Sequence, residues 1–321
     1  NQTWWDLTSL IPWPNLNTDL AVFGGTAGTV TLASGLTANG LSFTSNGYKL
    51  TGGDLTLAGA TPTIRVNMGE TANIESQIQG SAGLTKTGGG TLRLAAGNTY
   101  TGTTTISGGS VVITNATALG SSSSTIMVTG FNPVPAATAL RGYGGGSLVL
   151  DGTSAGVSIS RNLSLQGQGP ISDRGAALVS VGDNTLSGAV SMGVPYLGTG
   201  VPTRLTSATG MLTLSGSLDS DTVVAIGSTG SIVNVLGGAA NQAGVGSYNL
   251  TGALTGDSVL EKTGTGTLIL NPSSSAGFSG SIRVSSSAAS GQSSVRITSP
   301  GVLGTRTSTT TSSVLDVNAG I

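Results

Sequence analysis

The sequence predicts an all-β fold, a solenoid of short stacked strands with almost no helix, and three observations carry that prediction. Apolar and polar residues alternate over runs of four or five, as in Thr29-Val30-Thr31-Leu32, Thr63-Ile64-Arg65-Val66 and Thr91-Leu92-Arg93-Leu94. That is the period of a strand with one buried face. No window holds a sustained i, i+3, i+4, i+7 apolar pattern, so helix has no support. A block also returns within the chain: Leu84-Thr85-Lys86-Thr87-Gly88-Gly89-Gly90-Thr91-Leu92 is answered by Leu260-Glu261-Lys262-Thr263-Gly264-Thr265-Gly266-Thr267-Leu268. Internal recurrence is the signature of a repeat architecture.

Composition fits an ordered chain and removes several functions. The 53 glycines read as turn punctuation, because 37% apolar residues and a mean hydropathy of +0.24 can fill a core. Only 8% of residues are charged and the net charge is -1, so no basic field exists to attract nucleic acid or anionic lipid. No apolar run is long enough to span a bilayer as a helix. A transmembrane barrel would need aromatic girdles on many strands, yet aromatics are 4% and all three tryptophans fall within the first thirteen residues. Membrane insertion by this chain is therefore not expected.

Taken in order, residues 1–19 stand apart. Trp4, Trp5, Leu10, Ile11 and Trp13 form an apolar segment punctuated by Pro12 and Pro14, and proline excludes a central sheet strand. Two readings stay open: a cap over the first coil, or a segment that reaches a neighbouring molecule. Residues 20–321 read as one continuous β-solenoid, because the composition never shifts. Leu20-Ala21-Val22-Phe23, Gly40-Leu41-Ser42-Phe43, Tyr48-Lys49-Leu50 and Asp54-Leu55-Thr56-Leu57 open the series, bounded by Gly, Asn and Ser. Strands this short gain stability by lying on the neighbouring coil. Coils of roughly 20–25 residues spaced about 4.8 Å apart predict a rod about 65 Å long. Pro- and Gly-rich insertions near 129–146 and 191–203 interrupt the rhythm and read as projecting loops carrying Phe131, Tyr143 and Tyr196. The chain starts at Asn1 without a Met or a leader and stops in the strand-like Val314-Leu315-Asp316-Val317, the expectation for a processed or partial product whose export signal is already gone.

With these residues laid out, the chain resembles the autotransporter-associated β-strand repeat of large bacterial surface and secreted proteins. The resemblance rests on Gly83-Leu84-Thr85-Lys86-Thr87-Gly88-Gly89-Gly90-Thr91-Leu92, Asn98-Thr99-Tyr100-Thr101-Gly102-Thr103-Thr104-Thr105-Ile106 and Ala118-Leu119-Gly120. The flanking Ala21-Val22-Phe23-Gly24-Gly25 and Gly47-Tyr48-Lys49-Leu50-Thr51-Gly52 fit as well. It covers residues 20–128 closely and 250–304 more loosely. It implies a right-handed, single-stranded parallel β-helix displayed outside the cell, and it is nearly silent on activity.

The inventory of reactive side chains is poor. With no His and no Cys, there is no Ser-His-Asp or Cys-His nucleophile and no His- or Cys-based zinc site. Asp219 and Asp221, at i and i+2, are the closest acidic pair, and two such carboxylates can share a proton, flank a sugar bond or hold Ca²⁺; a solvated turn is the better account of them. Lys86 and Lys262 occupy equivalent places in the two blocks, which marks a structural slot rather than a Ser-Lys dyad. Pairs such as Thr85/Thr87, Thr99/Thr101, Thr103/Thr105 and Thr263/Thr265/Thr267 set hydroxyls at strand spacing, and stacked coils would turn them into an array able to bind ice or glycan; threonine is also simply a strand former.

The sequence therefore predicts a non-enzymatic extracellular or cell-surface structural protein without cofactor or metal. It is a stalk, or a subunit assembling head-to-tail through Trp4, Trp5, Ile11 and Trp13 at one end and Leu315 and Val317 at the other, since open sheet ends template further strands. The alternative is an adhesin passenger that binds glycans or matrix through Phe131, Tyr143 and Tyr196. A polysaccharide-degrading β-helix ranks third.

Overall fold

The structure is a computed structural model that describes residues 3–5, 9–121, 123–129, 145–173, 175–193, 203–220, 233–236, 246–256, 259–263, 266–285, 294–298 and 315–318. The insertion residues Phe131, Tyr143 and Tyr196, together with Asp221, lie outside the described residues.

The chain winds as a parallel β-solenoid with three faces. Each coil contributes a strand to the first face and turns a corner to the second, and most turn again to a strand on the third. The first face is an 11-stranded sheet that starts at Leu20–Phe23, Gly40–Phe43, Thr63–Val66 and Leu84–Thr87 and ends at Gly277–Phe278. The second is a 12-stranded sheet running from Thr29–Leu32 to Leu315–Asn318. The third is a 3-stranded sheet, Leu36–Ala38, Leu55–Leu57 and Ile78–Gln79, and then a 6-stranded one from Ser158–Ile159 to Ser294–Ile297. Every pairing within these faces is parallel. Helix among the described residues is limited to two 3-10 turns, Ala116–Leu119 and Ile171–Asp173.

Alternation decides which side chains enter. Ile64 and Val66 of Thr63–Val66, Ala72 and Ile74 of Thr71–Ile74, and Leu92 and Leu94 of Thr91–Leu94 are buried, while their partners point outward. Stacking in register turns each inward position into a column that runs along the axis. Leu41, Ile64, Lys86, Ile106, Val128, Leu165 and Met192 form one such column. Among the described residues the main hydrophobic cluster runs continuously from Ala21 to Ile282, and Ala176, Val179 and Ala208 form a small separate one.

Coil length varies while register does not. Thr85 pairs with Thr105, 20 residues on, whereas Met127 pairs with Ser164, 37 residues on. The insertions consume chain without adding rungs. Twelve strands at about 4.8 Å give a sheet on the order of 50 Å long, shorter than the 65 Å expected from uniform coils.

The third face has no strand between Ile78–Gln79 and Ser158–Ile159 among the described residues. Backbone bonds still join the coils there, Thr99 N to Ile78 O at 2.9 Å and Ser121 N to Tyr100 O at 3.0 Å, and a side-chain amide adds to them. Asn98 Oδ1 accepts from Ile78 N at 2.7 Å, and its Nδ2 donates to Ala118 O at 2.5 Å. The Thr99/Thr101 pair falls in this irregular stretch rather than on a strand, so its hydroxyls form no strand-face row.

Candidate functional site

Three places answer the sequence expectations: the two lysine corners, the N-terminal end, and the outward faces.

Lys86 is fully buried. Its Nζ donates to Thr87 O at 2.8 Å, Gly88 O at 2.9 Å and Gly108 O at 3.0 Å. Three acceptors match the three donors of an ammonium. Gly88 turns the chain with φ +74, and a side chain there would strike Val66 O, so glycine is required both by conformation and by space. Burial pulls the Lys86 pKa down to about 7, and the Asp173 carboxylate opposes that fall; the three carbonyls oppose it too, since they bond the charged form. Lys262 is likewise fully buried. Its Nζ donates to Thr263 O at 2.5 Å and lies 5.7 Å from the centroid of the Tyr248 ring, and burial brings its pKa down to about 8.

The two lysines share a local motif but not a place in the prism. Lys86 ends a first-face strand, Leu84–Thr87, whereas Lys262 ends a second-face strand, Val259–Lys262. The slot therefore belongs to the corner, whichever faces it joins. That corrects the simple equivalence expected from the aligned blocks and keeps its structural meaning.

Asp173, in the 3-10 turn Ile171–Asp173, sits over the second face. Ser110 Oγ donates to its Oδ2 at 2.6 Å. Ser147 and Ser172 lie beside the same carboxyl, although the fully buried Ser147 Oγ does not reach bonding geometry. Burial raises the Asp173 pKa, and the serine hydroxyls and Lys86 oppose that rise. Nothing in the sequence announced this contact, which joins residues 63 apart.

At the N-terminal end, Thr3–Trp5 and Leu10–Pro12 pair as a small antiparallel hairpin that sets Trp4 opposite Ile11. Trp13 is half-buried against the core, and its Nε1 donates to Thr37 O at 2.8 Å. Asn15 Nδ2 donates to Gly35 O at 3.1 Å, and its Oδ1 accepts from Thr37 N. The edge of the strand Leu36–Ala38 is thus capped by side chains. Beneath Trp13 lies an apolar recess lined by Ala21, Phe23, Leu32, Leu36, Leu41 and Leu50. No described strand lies beyond Leu20–Phe23 on the first face or Thr29–Leu32 on the second, and Leu20 and Val22 stand outward, 53% and 55% exposed. At the other end Leu315 and Val317 pair with Ile282 and Val284 on the last second-face rung. The two groups of expected contact residues sit at opposite ends of the solenoid.

Among the described residues no group of three acidic, His or Cys side chains is placed to hold a metal ion. Asp219 lies on the first-face strand Leu218–Asp219, flanked along the axis by Ser191 and Thr255.

A parallel solenoid whose corners are closed by a buried lysine and glycines defines a class of β-strand repeat protein. Residues 84–113 and 260–286 match the passenger-associated-transport-repeat family, the same two blocks that the lysine corners mark. Over 114 residues the chain is 45% identical to the adhesin BmaC autotransporter of Brucella suis biovar 1 (strain 1330), a stretch that covers 36% of this chain and 3% of that protein. No solved structure matches. Over those two blocks the chain carries the repeat of passenger proteins, and over about a third of its length it is similar to a small part of an autotransporter adhesin.

Proposed function

We propose that the chain is a non-enzymatic, surface-exposed segment of a bacterial passenger, a stiff stalk that carries adhesive contacts away from the cell. The observation that supports this best is the continuous in-register stacking of the first and second faces, closed at two corners by the matched repeats. A scaffold of that kind gains its stability from neighbouring coils, so it extends without needing a second domain. The match to an adhesin supports the adhesive part. Displaying the chain on a non-adherent bacterium tests it: adherence to host cells or immobilised matrix should rise well above that of the empty strain. Equal adherence would reduce the role to a spacer.

A second reading, head-to-tail association, draws on the first- and second-face edges at the N-terminal end, beyond which no described strand lies, with Leu20 and Val22 exposed beside them. Open edges accept further parallel strands, and a contact between unlike ends does not close. The occupant would be the last coil of a second copy, with Trp4, Trp5, Ile11 and Trp13 facing Leu315 and Val317. Electron microscopy at high concentration decides this, because only isolated rods would dismiss it.

A further inference from the structure

Two sets of serine and threonine hydroxyls contrast in this solenoid, and only one of the two is bonded within the fold. At corners, the hydroxyl just after a strand bonds back to the neighbouring coil: Thr44 Oγ1 to Phe23 O at 3.1 Å, Ser107 Oγ to Lys86 O at 3.1 Å, Thr298 Oγ1 to Leu270 O at 3.2 Å. The backbone N–H of each of these residues reaches the same carbonyl. Mid-strand hydroxyls on the first face are different. Thr63, Thr85, Thr105, Ser164, Ser191 and Thr255 fall in one outward row along the axis, with Met127 and Asp219 completing it. All six are partly exposed, and none of their hydroxyls has a hydrogen bond among the described residues.

We propose that this row is a binding face for an uncharged polysaccharide chain lying along the axis. The inference rests on the adhesive reading above and names the surface and ligand class for it. Strand-forming tendency explains threonine here, but serine is not among the residues that favour strands, and Ser164 and Ser191 hold the same register. The occupant follows from charge and direction. Among the described residues Arg65 and Asp219 are the ionised side chains on the outward side of this face, whereas the second face carries Lys49, Arg93, Asp151, Arg204, Glu261 and Arg283. A near-neutral row of groups that both donate and accept suits a polymer of hydroxyls better than an ionic ligand. Successive rungs stand about 4.8 Å apart, so the row offers repeated contacts to a repeating ligand, and its avidity grows with length. Threonine side chains on a strand are held to few rotamers, which limits the ordering cost of binding.

The test is sedimentation of the 321-residue chain with insoluble cellulose, chitin and β-1,3-glucan as probes. The unaltered chain should co-sediment with at least one of them. Thr85→Lys/Thr105→Lys should weaken that binding at least tenfold with far-UV circular dichroism unchanged, while Thr29→Lys on the second face leaves it intact. Should the first pair fail to fold, Ser164→Lys/Ser191→Lys replaces it with the same expectation. Undiminished binding by a folded lysine pair overturns the proposal, as does equal loss in the second-face control. Retention by none of the three probes also overturns it, and leaves the adhesive reading to its own adherence assay.

Discussion

Lys86 Nζ donates to Gly108 O, in the following coil, at 3.0 Å. The bond ties one corner of the solenoid to the next, and the other two acceptors, Thr87 O and Gly88 O, belong to the turn that Lys86 itself begins. One side chain thus shapes a turn and joins two coils.

Replacing it should be costly. Lys86→Met keeps the volume and the apolar stem but leaves three carbonyls without the donor. An unsatisfied buried polar group costs about 1–3 kcal/mol, offset in part by removing a buried charge. We expect a net loss of about 2–4 kcal/mol, read as a lower denaturation midpoint by circular dichroism. An unchanged midpoint would mean that water or a rearranged turn serves the carbonyls equally well.

Stability should also depend on pH with a defined sign. The Lys86 pKa is about 7 in the fold against 10.5 in the unfolded chain. Between those values the unfolded state binds more protons, so stability rises with pH across that window, and the cost of burying the charge is fully present below it. Asp173 has the opposite sign. Its raised pKa means the folded state takes up a proton first as pH falls from neutrality, which favours the fold. Thermal unfolding followed from pH 7 to pH 10 should show a rising midpoint, and the rise should shrink in Lys86→Met.

Phe43 is fully buried and stacks on Phe23, ring centroids 4.7 Å apart and planes 13° from parallel. Phe43→Ala should cost about 3–5 kcal/mol. Because stability in a solenoid is largely a sum of neighbour terms, the loss should concentrate in the first coils. Hydrogen exchange should therefore quicken around Leu41, Ile64 and Leu50 and stay slow around Leu165 and Leu212.

Gly109 holds φ +63 at the start of the strand Gly109–Ile113, with the Gly88 and Gly90 carbonyls where a side chain would go. Gly109→Ala meets both the strained conformation and the backbone of the preceding coil. A destabilisation of at least about 1–3 kcal/mol follows. By contrast Arg93→Ala removes a 3.4 Å ion pair with Asp151 between partly exposed side chains, worth less than about 1 kcal/mol.

Much of this architecture was legible in the chain. Alternation in Thr63–Val66 and Thr91–Leu94 names the buried residues directly, and the duplicated Lys-Thr-Gly block marks both corners. What stayed hidden depends on stacking. A sequence does not say which face a strand joins when one coil has lost its third strand, so Lys86 and Lys262 read as equivalent although their corners differ. Threonine pairs within a strand suggested hydroxyl rows two residues apart, but the longer row runs across coils from Thr63 to Thr255, through positions up to 37 residues apart. The Ser110–Asp173 bond has no periodicity to betray it. Trp13 was readable as an aromatic near the first coil, though its bond to Thr37 O was not.

The unequal coil lengths have a consequence for how such a protein changes over generations. Pairing between Met127 and Ser164 survives a detour of 37 residues as well as pairing between Thr85 and Thr105 survives one of 20. Because alignment is restored wherever the next strand lands, segments of almost any size can be grafted at a bend without disturbing the ladder on either side. The framework stays constant while whatever hangs from it is free to diversify.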